Sequence, residues 1–193
     1  MVGAVIVAVL LLSLGGESVR LALRYDRAAV ASGQLWRLIT AHCVHGSAQH
    51  VAVNVLGAAL MVALFNHTYG IRSWLIVLAC GVASIDLGFW FLMPQLQWYV
   101  GMSGVLHAVL AAGTVAWWKT ETKPLALTLT LIMAAKLWWE QTHGPLPLSG
   151  EMPVVVNAHL YGEAGGLIAA AICWRDVLRM KPGWHRTLKS AID

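Results

Sequence analysis

Six apolar segments alternate with polar stretches along the chain of 193 residues. They cover about 3–15, 49–65, 74–93, 102–118, 124–139 and 154–174. Several are shorter than the ~20 residues of a perpendicular membrane crossing, and their many glycines and alanines are typical of membrane helices that pack closely. This pattern predicts an all-α polytopic membrane protein, a six-helix bundle that forms one domain over residues 1–193.

The composition supports a membrane location. Hydrophobic residues make up 59% of the chain and charged residues 11%, with a mean hydropathy of +0.68, whereas roughly 25% of the residues in a soluble domain are charged. The first segment could instead be the core of a signal peptide, but no basic residue precedes it, so a helix is favoured. The three cysteines are far apart and form no CxxC motif, so no disulfide framework is predicted.

The distribution of basic residues predicts the orientation of the bundle. With six spans, eight lysines and arginines lie on the side of the 66–73 loop, the loop after segment four and the tail at about 175–193. Four lie in the first loop, about 16–48, on the other side. The positive-inside rule then places both termini in the cytoplasm and the 140–153 loop outside. The basic tail suits an anionic lipid bilayer, and no nucleic-acid-binding motif is present.

Ionisable side chains within apolar segments are costly and often functional. The chain carries six of them and one strongly polar amide: His50, Asp86, His107, Lys136, His159, Glu163 and Asn54. We expect Asp86 and Lys136 to form a buried pair or to line a water path.

A serine between glycines begins segment four, in the stretch Gly101-Met102-Ser103-Gly104. The start of a helix is electropositive, which favours negative charge developing on a serine oxygen or on a bound oxyanion. Gly101 permits a tight turn, and Gly104 permits a neighbouring helix to approach closely. Taken alone, the stretch favours helix packing over catalysis, and it is not the G-x-S-x-G motif of soluble hydrolases.

A nucleophilic serine needs a base, and two histidines are candidates. His107 lies one turn after Ser103, so its ring is expected to point past the serine. His159 is the better candidate, because Gly162 and Gly166 share its helix face and would let segment six press against segment four. His159 alone is equally well explained by a structural hydrogen bond to a neighbouring helix.

His50 and Asn54 are four residues apart and therefore share one face of segment two, near the same outer end. Two donors there could stabilise an oxyanion together with the backbone N–H of Ser103. His42, His45 and His50 have a spacing that zinc could use, but neither an HExxH motif nor an acidic partner accompanies them. Bis-histidine haem ligation is a further alternative. We expect no metal and no cofactor.

Three motifs occur in order on segments two, four and six. They are H-x4-H-x3-N (His45, His50, Asn54), G-x-S-G (Gly101, Ser103, Gly104) and A-H-x2-G-x3-G (Ala158, His159, Gly162, Gly166). With the pair Trp36-Arg37 before His45, they resemble the rhomboid family of intramembrane serine proteases over residues 36–170. The stretches SGVLH, at Ser103, and AHLYG, at Ala158, are most similar to rhombosortases, a subfamily with six transmembrane helices.

The resemblance implies a Ser-His dyad without an aspartate, in which Ser103 attacks a peptide carbonyl and His159 takes its proton and passes it to the leaving amine. It implies that His50 and Asn54 hold the oxyanion and that His45 organises the 38–48 loop. Supporting roles would fall to Gly101, Gly104, His107, Gly162, Gly166, Trp36 and Arg37. His107 stands where rhomboids tend to carry a tyrosine, so it would stack on His159 or bond to it. Glu163 departs from the family pattern and would either pair with His159 or point into the bundle.

The resemblance also implies the substrates and the location. The substrates would be membrane-anchored proteins in a bacterial inner membrane, with a C-terminal tail of a Gly-Gly motif, an apolar helix and a basic cluster. Cleavage near the glycines, at the outer face, is physically reasonable because a helix frays at glycine and exposes a peptide bond. The alternatives are a general rhomboid protease without Gly-Gly preference, a non-catalytic binder of membrane helices, and a haem or metal protein.

Overall fold

The computed structural model describes Leu12, residues 15–146 and residues 154–180. The first part of the chain contains α1 (Gly16–Leu23), β1 (Tyr25–Asp26), α2 (Arg27–Ala31), α3 (Arg37–Thr40) and a 3-10 turn (Ala41–Cys43). The second part contains α4 (Ala48–Phe65), α5 (Ile71–Leu87) with a π-helical turn (Gly88–Leu92), β2 (Trp98–Tyr99), α6 (Ser103–Thr120), α7 (Lys123–His143), α8 (Asn157–Ile172) and α9 (Trp174–Arg179).

Helices α4 to α8 coincide with the predicted segments two to six. The Ser47 hydroxyl caps α4 by accepting a hydrogen bond from the backbone N–H of His50, 3.1 Å away. Helix α7 extends beyond the predicted apolar segment 124–139 and ends at His143. Gly144 follows it with a φ of 84°. The predicted segment 3–15 lies outside the described residues except for Leu12 and Gly15, and so do residues 181–193 of the basic tail.

The predicted count of six spans is not confirmed. In the described residues, two stretches are long and apolar enough to cross a membrane by length and composition, Ala48–Phe65 and Ile71–Leu92. Helix α8 has only 16 residues. Helix α7 carries Lys136 and Glu140 one turn apart. Neither therefore has the long uninterrupted apolar surface of a simple span.

Helices α6 and α8 pack backbone against backbone, and α5 packs against both. A Cβ atom at Gly162 would collide with the carbonyl oxygen of Gly104, and one at Gly166 would collide with that of Ala108. Small residues permit this approach, which gives the dispersion contacts that hold helices together in lipid. The approach also brings the first turn of α6 beside the first turn of α8.

The 16–48 region is a folded layer on the bundle. The structure is mostly helical, as the all-α prediction requires; the exception is the short strand β1, which pairs antiparallel with β2 and places Tyr25 opposite Tyr99. Two-residue strands are too short to produce an alternating pattern in the sequence. Arg27 fixes the layer by donating to the carbonyl oxygens of Phe89, at 3.0 Å, and Trp90, at 2.7 Å. These carbonyls belong to the π-helical turn that ends α5.

Candidate active site

Four helix ends meet at one end of the bundle. Ser103 is the first residue of α6, His159 is the third residue of α8, His50 is the third residue of α4, and Glu140 lies in the last turn of α7. Ser103 Oγ lies 2.9 Å from His159 Nε2, a hydrogen-bond distance. The two residues that the glycine pattern was expected to bring together are therefore in contact.

Glu140 completes a triad-like arrangement that the sequence analysis missed. Its Oε2 lies 2.7 Å from His159 Nδ1, and the side chain is only 3% exposed. The prediction named a serine and a histidine without an aspartate, and the contacts add a glutamate that it did not include. The apolar segment ended at 139, so Glu140 was assigned to the outer loop. The available signal was the i,i+4 pair of Lys136 and Glu140, which indicates that the helix continues.

Lys136 links Glu140 to His107. Its Nζ lies 2.6 Å from Glu140 Oε1 and 2.9 Å from His107 Nε2, while His107 Nδ1 lies 2.7 Å from the carbonyl oxygen of Ser103. Because a carbonyl only accepts, we assign the His107 proton to Nδ1, and Nε2 accepts from the Lys136 ammonium. With the Ser103–His159 contact, these five residues form a closed ring of hydrogen bonds.

The two histidine rings of this network stack on each other. The ring centroids of His107 and His159 are 4.0 Å apart and the rings are inclined by 14°, which confirms the predicted stacking. Glu163 does not pair with His159, whose Nδ1 is bonded to Glu140 instead. Glu163 is 4% exposed, and its Oε1 has no hydrogen-bond partner.

The predicted alternative of an Asp86–Lys136 pair is also wrong. Asp86 Oδ1 lies 3.7 Å from His42 Nε2, on the side of α5 that faces the 3-10 turn of the first loop. Lys136 lies on α7 and faces α6. Two buried ionisable residues were paired on charge alone, whereas the packing gives each a different partner.

His50 and Asn54 lie beside Ser103. Asn54 Nδ2 donates to the carbonyl oxygen of His50 at 2.9 Å. The His45 ring packs edge-on against the His50 ring, with centroids 4.9 Å apart. Burial and the neighbouring His50 lower the pKa of His45 to about 4, so His45 is neutral near pH 7. His45 thus supports His50 as an uncharged packing partner.

Two cavities meet at Ser103. The first has a volume of about 370 Å³ and the second about 340 Å³, and both are lined by His50, Ser103 and Val154. The first extends along the chain before α6, past Met93, Leu96, Trp98 and Val100. The second contains Asn54, His107, Lys136, Glu140 and His159. A mostly apolar ligand thus has space on both sides of the hydroxyl.

A model of the rhomboid domain matches residues 32–176, more than half of the chain. The chain belongs to the rhomboid family. Rhomboids are serine proteases embedded in membranes, and the apolar helices α4 and α5 and the serine–histidine contact are in keeping with this. A comparison with curated proteins gave no match.

In this rhomboid, Trp36 and Arg37 belong to the folded first loop. Arg37 is buried and donates to the carbonyl oxygens of Leu21 and Arg24, each at 2.9 Å. Trp36 is 53% exposed. Neither residue lines a cavity at Ser103, so their contribution is to the shape of the loop.

Gly101 holds the chain before α6 against the first loop. Its N–H donates to the carbonyl oxygen of Ala41 at 2.9 Å, and its φ is +125°, a conformation that other residues rarely adopt. A Cβ atom there would lie 2.8 Å from His50 Nε2. The turn predicted for Gly101 is therefore present, and it places His50 directly behind the start of α6.

One group of side chains in the described part of the rhomboid has the donor atoms of a metal site: His107, Glu140 and His159. The Lys136 ammonium, however, contacts two of these three residues, and Ser103 contacts the third. A metal ion there would have to displace the ammonium and meet its positive charge. The site therefore carries its own cation.

Proposed function

We propose that the protein is an intramembrane serine endopeptidase in which Ser103 is the nucleophile and His159 the general base and acid. The observation that carries the proposal is the 2.9 Å contact between Ser103 Oγ and His159 Nε2, at the junction of two cavities. His159 takes the hydroxyl proton as Oγ bonds to the peptide carbonyl carbon. It then gives that proton to the leaving amine as the C–N bond breaks.

The oxyanion of the tetrahedral intermediate is held, in this proposal, by His50, Asn54 and the backbone N–H of Ser103. Both side chains line the second cavity together with Ser103. The first N–H groups of α6 have no acceptor within the helix and point toward developing negative charge. The acyl-enzyme is then opened by water or by an amine nucleophile.

The proposed substrates are membrane-anchored proteins whose C-terminal tail contains a Gly-Gly motif, an apolar helix and a basic cluster. The similarity of SGVLH and AHLYG to rhombosortase motifs supports this subclass. Cleavage takes place near the glycines at the outer face of a bacterial inner membrane, and both termini of the enzyme are cytoplasmic. The mostly apolar wall of the first cavity, with Met93, Leu96 and Val100, suits an unwound segment at the membrane boundary.

The test is a reporter with an outward-facing domain, a Gly-Gly motif, an apolar helix and a basic tail, co-expressed with the protein in bacteria. Wild type should shorten the reporter, and Ser103→Ala and His159→Ala should leave it intact, because a serine–histidine pair loses about 10⁴-fold or more in rate when either member is removed. Ser32→Ala and His67→Ala are matched controls outside both cavities, and they should cut normally.

A second reporter with both glycines replaced by leucine separates the substrate classes. The proposal predicts that its cleavage falls at least about tenfold, since leucine strengthens the helix. Unchanged cleavage would instead favour a general rhomboid protease. Continued cleavage by Ser103→Ala would refute the proposed nucleophile, and intact reporters with every variant and with wild type would favour a non-catalytic binder of membrane helices.

A further inference from the structure

Glu140, Lys136 and His107 occupy the side of His159 that the proposed reaction does not use. Glu140 Oε2 faces Nδ1 of His159 at 2.7 Å, while Nε2 of the same ring faces Ser103. A carboxylate only accepts hydrogen bonds, so it holds the His159 proton on Nδ1 and leaves the lone pair of Nε2 directed at the hydroxyl.

We propose that Glu140 is a positioning residue that keeps His159 in the tautomer and orientation needed to accept the proton of Ser103, and that Lys136 and His107 hold Glu140 in place. This inference rests on the proposed function of Ser103 and His159. In this step the proton moves from Oγ to Nε2, and Oγ bonds to the carbonyl carbon as the π electron pair of the C=O bond moves onto the oxygen to give the oxyanion. Glu140 remains ionised while the imidazolium forms.

Charge compensation supports this role. A carboxylate that is 3% exposed is costly unless it is paired. The Lys136 ammonium, 2.6 Å from Oε1, supplies the pairing at the same carboxyl group that contacts His159 through Oε2. The ammonium thus offsets the Glu140 charge from the side of Oε1, and Oε2 accepts the hydrogen bond from His159 and stabilises the imidazolium. The cluster is formally neutral before proton transfer, and the new imidazolium charge is offset by the oxyanion.

His107 completes the arrangement by contacting three parts of the site. It accepts from Lys136 on Nε2, donates from Nδ1 to the Ser103 carbonyl, and stacks on His159 with 4.0 Å between centroids. Because both of its nitrogens are engaged in this way, the ring is neutral. It therefore adds no like charge beside the imidazolium, and the stacking prevents the His159 ring from rotating away.

The decisive variants are Glu140→Gln and Glu140→Asp, measured as purified protein in lipid vesicles. The inference predicts that Glu140→Gln lowers kcat about 10²-fold to 10⁴-fold, while KM changes by less than about threefold, because the defect lies in proton transfer and not in substrate binding. Glu140→Asp keeps the acceptor and should recover at least about tenfold of the lost kcat. Labelling of Ser103 by a fluorophosphonate, which also needs the base, should slow in parallel.

Glu163→Gln is the matched control, since Glu163 is equally buried on the same helix as His159, while both nitrogens of His159 are engaged by Glu140 and Ser103. It should change kcat by less than about twofold. If Glu140→Gln leaves kcat within threefold of wild type, the inference is overturned. In that event Ser103→Ala, run in the same assay, shows whether the proposed function still stands, because its inactivity depends on the nucleophile and not on Glu140.

If Glu140→Gln does not fold because the Lys136 ammonium has lost its carboxylate partner, the double variant Lys136→Met/Glu140→Gln tests the inference instead. The double variant has no unpaired charge and should keep an unfolding temperature near that of wild type. The inference predicts that it folds but retains the low kcat of Glu140→Gln. Cleavage by the folded double variant at the wild-type rate would overturn the inference.

Discussion

At the scale of single residues, Lys136 is the unusual member of the site. Its Nζ lies between Glu140 Oε1 and His107 Nε2, at distances typical of charge-assisted hydrogen bonds. Two of the three potential metal donors therefore surround an ammonium. The Lys136 ammonium occupies the place that a metal ion would take between these donors, and unlike a metal ion it cannot polarise a substrate as a Lewis acid.

Removal of this side chain should expose the donor set to zinc. We expect Lys136→Ala to bind Zn²⁺ through His107, Glu140 and His159, which suit this ion. At a zinc concentration about 100 times the dissociation constant, the folded state gains about 2.7 kcal/mol, which raises the unfolding temperature by roughly 5–10 °C. Tryptophan fluorescence with and without zinc measures this shift.

The control is Lys136→Ala/His107→Ala, which lacks one donor and should show a much smaller shift. Wild type should show none, since its own ammonium competes with the ion. An unfolding temperature of Lys136→Ala that zinc does not change, or an equal shift in the double variant, would contradict the interpretation of Lys136 as the resident cation.

At the scale of elements, the contact of α6 with α8 sets the distance between Ser103 and His159. Gly162 lies three residues after His159 on α8. Its missing side chain leaves room for the carbonyl of Gly104, the residue that follows Ser103 on α6. The obstacle to a larger residue is backbone, which cannot move aside as a flexible side chain can. The glycines of the two helices thus determine the distance between the proposed nucleophile and base as well as the packing.

Gly162→Ala should therefore damage both stability and activity. We expect a loss of about 1–3 kcal/mol in the free energy of unfolding from overpacking. We also expect a loss of kcat of about 10²-fold, since a shift near 1 Å misplaces the reacting groups. Thermal unfolding and reporter kinetics measure the two effects. Gly70→Ala is the control, because no heavy atom lies within 4 Å of the position of its Cβ; similar losses in both variants would count against the explanation.

At the scale of the whole molecule, the first loop and the bundle form one unit. The β1–β2 pair, the Arg27 contacts with the π-helical turn and the Gly101 contact with Ala41 all join the 16–48 layer to the chain that leads into α6. Because this chain ends at Ser103 and lines the first cavity, the layer supports the approach to the proposed nucleophile.

Arg27→Met should loosen the layer while leaving the helices in place. Two carbonyl oxygens lose charged donors, each worth roughly 1.5–3 kcal/mol. A broad-specificity protease should therefore cut the 16–48 region several times faster in the variant, and reporter cleavage should fall. Arg20→Met, at an exposed ion pair with Glu17, should behave like wild type. Equal protease resistance of Arg27→Met and wild type would show that the strand pair alone holds the layer.

The long helices and the two central residues of the site were predictable because their signals are local. Apolar runs predicted α4 to α8, and the glycines near Ser103 and His159 indicated where two helices approach. No equivalent signal assigned a partner to Glu140, since its contact with His159 joins residues 19 apart on different helices.

The sequence by itself indicated the rhomboid family, the order of the helices and the candidate residues of the proposed site, because periodicity and motif spacing act within a few turns of chain. The tertiary structure alone decided that Lys136 pairs with Glu140 and His107 instead of Asp86, and that the 16–48 region is folded against the bundle. These pairings depend on which helix faces meet, and that choice is made by the packing of the whole chain and not by any local stretch of it.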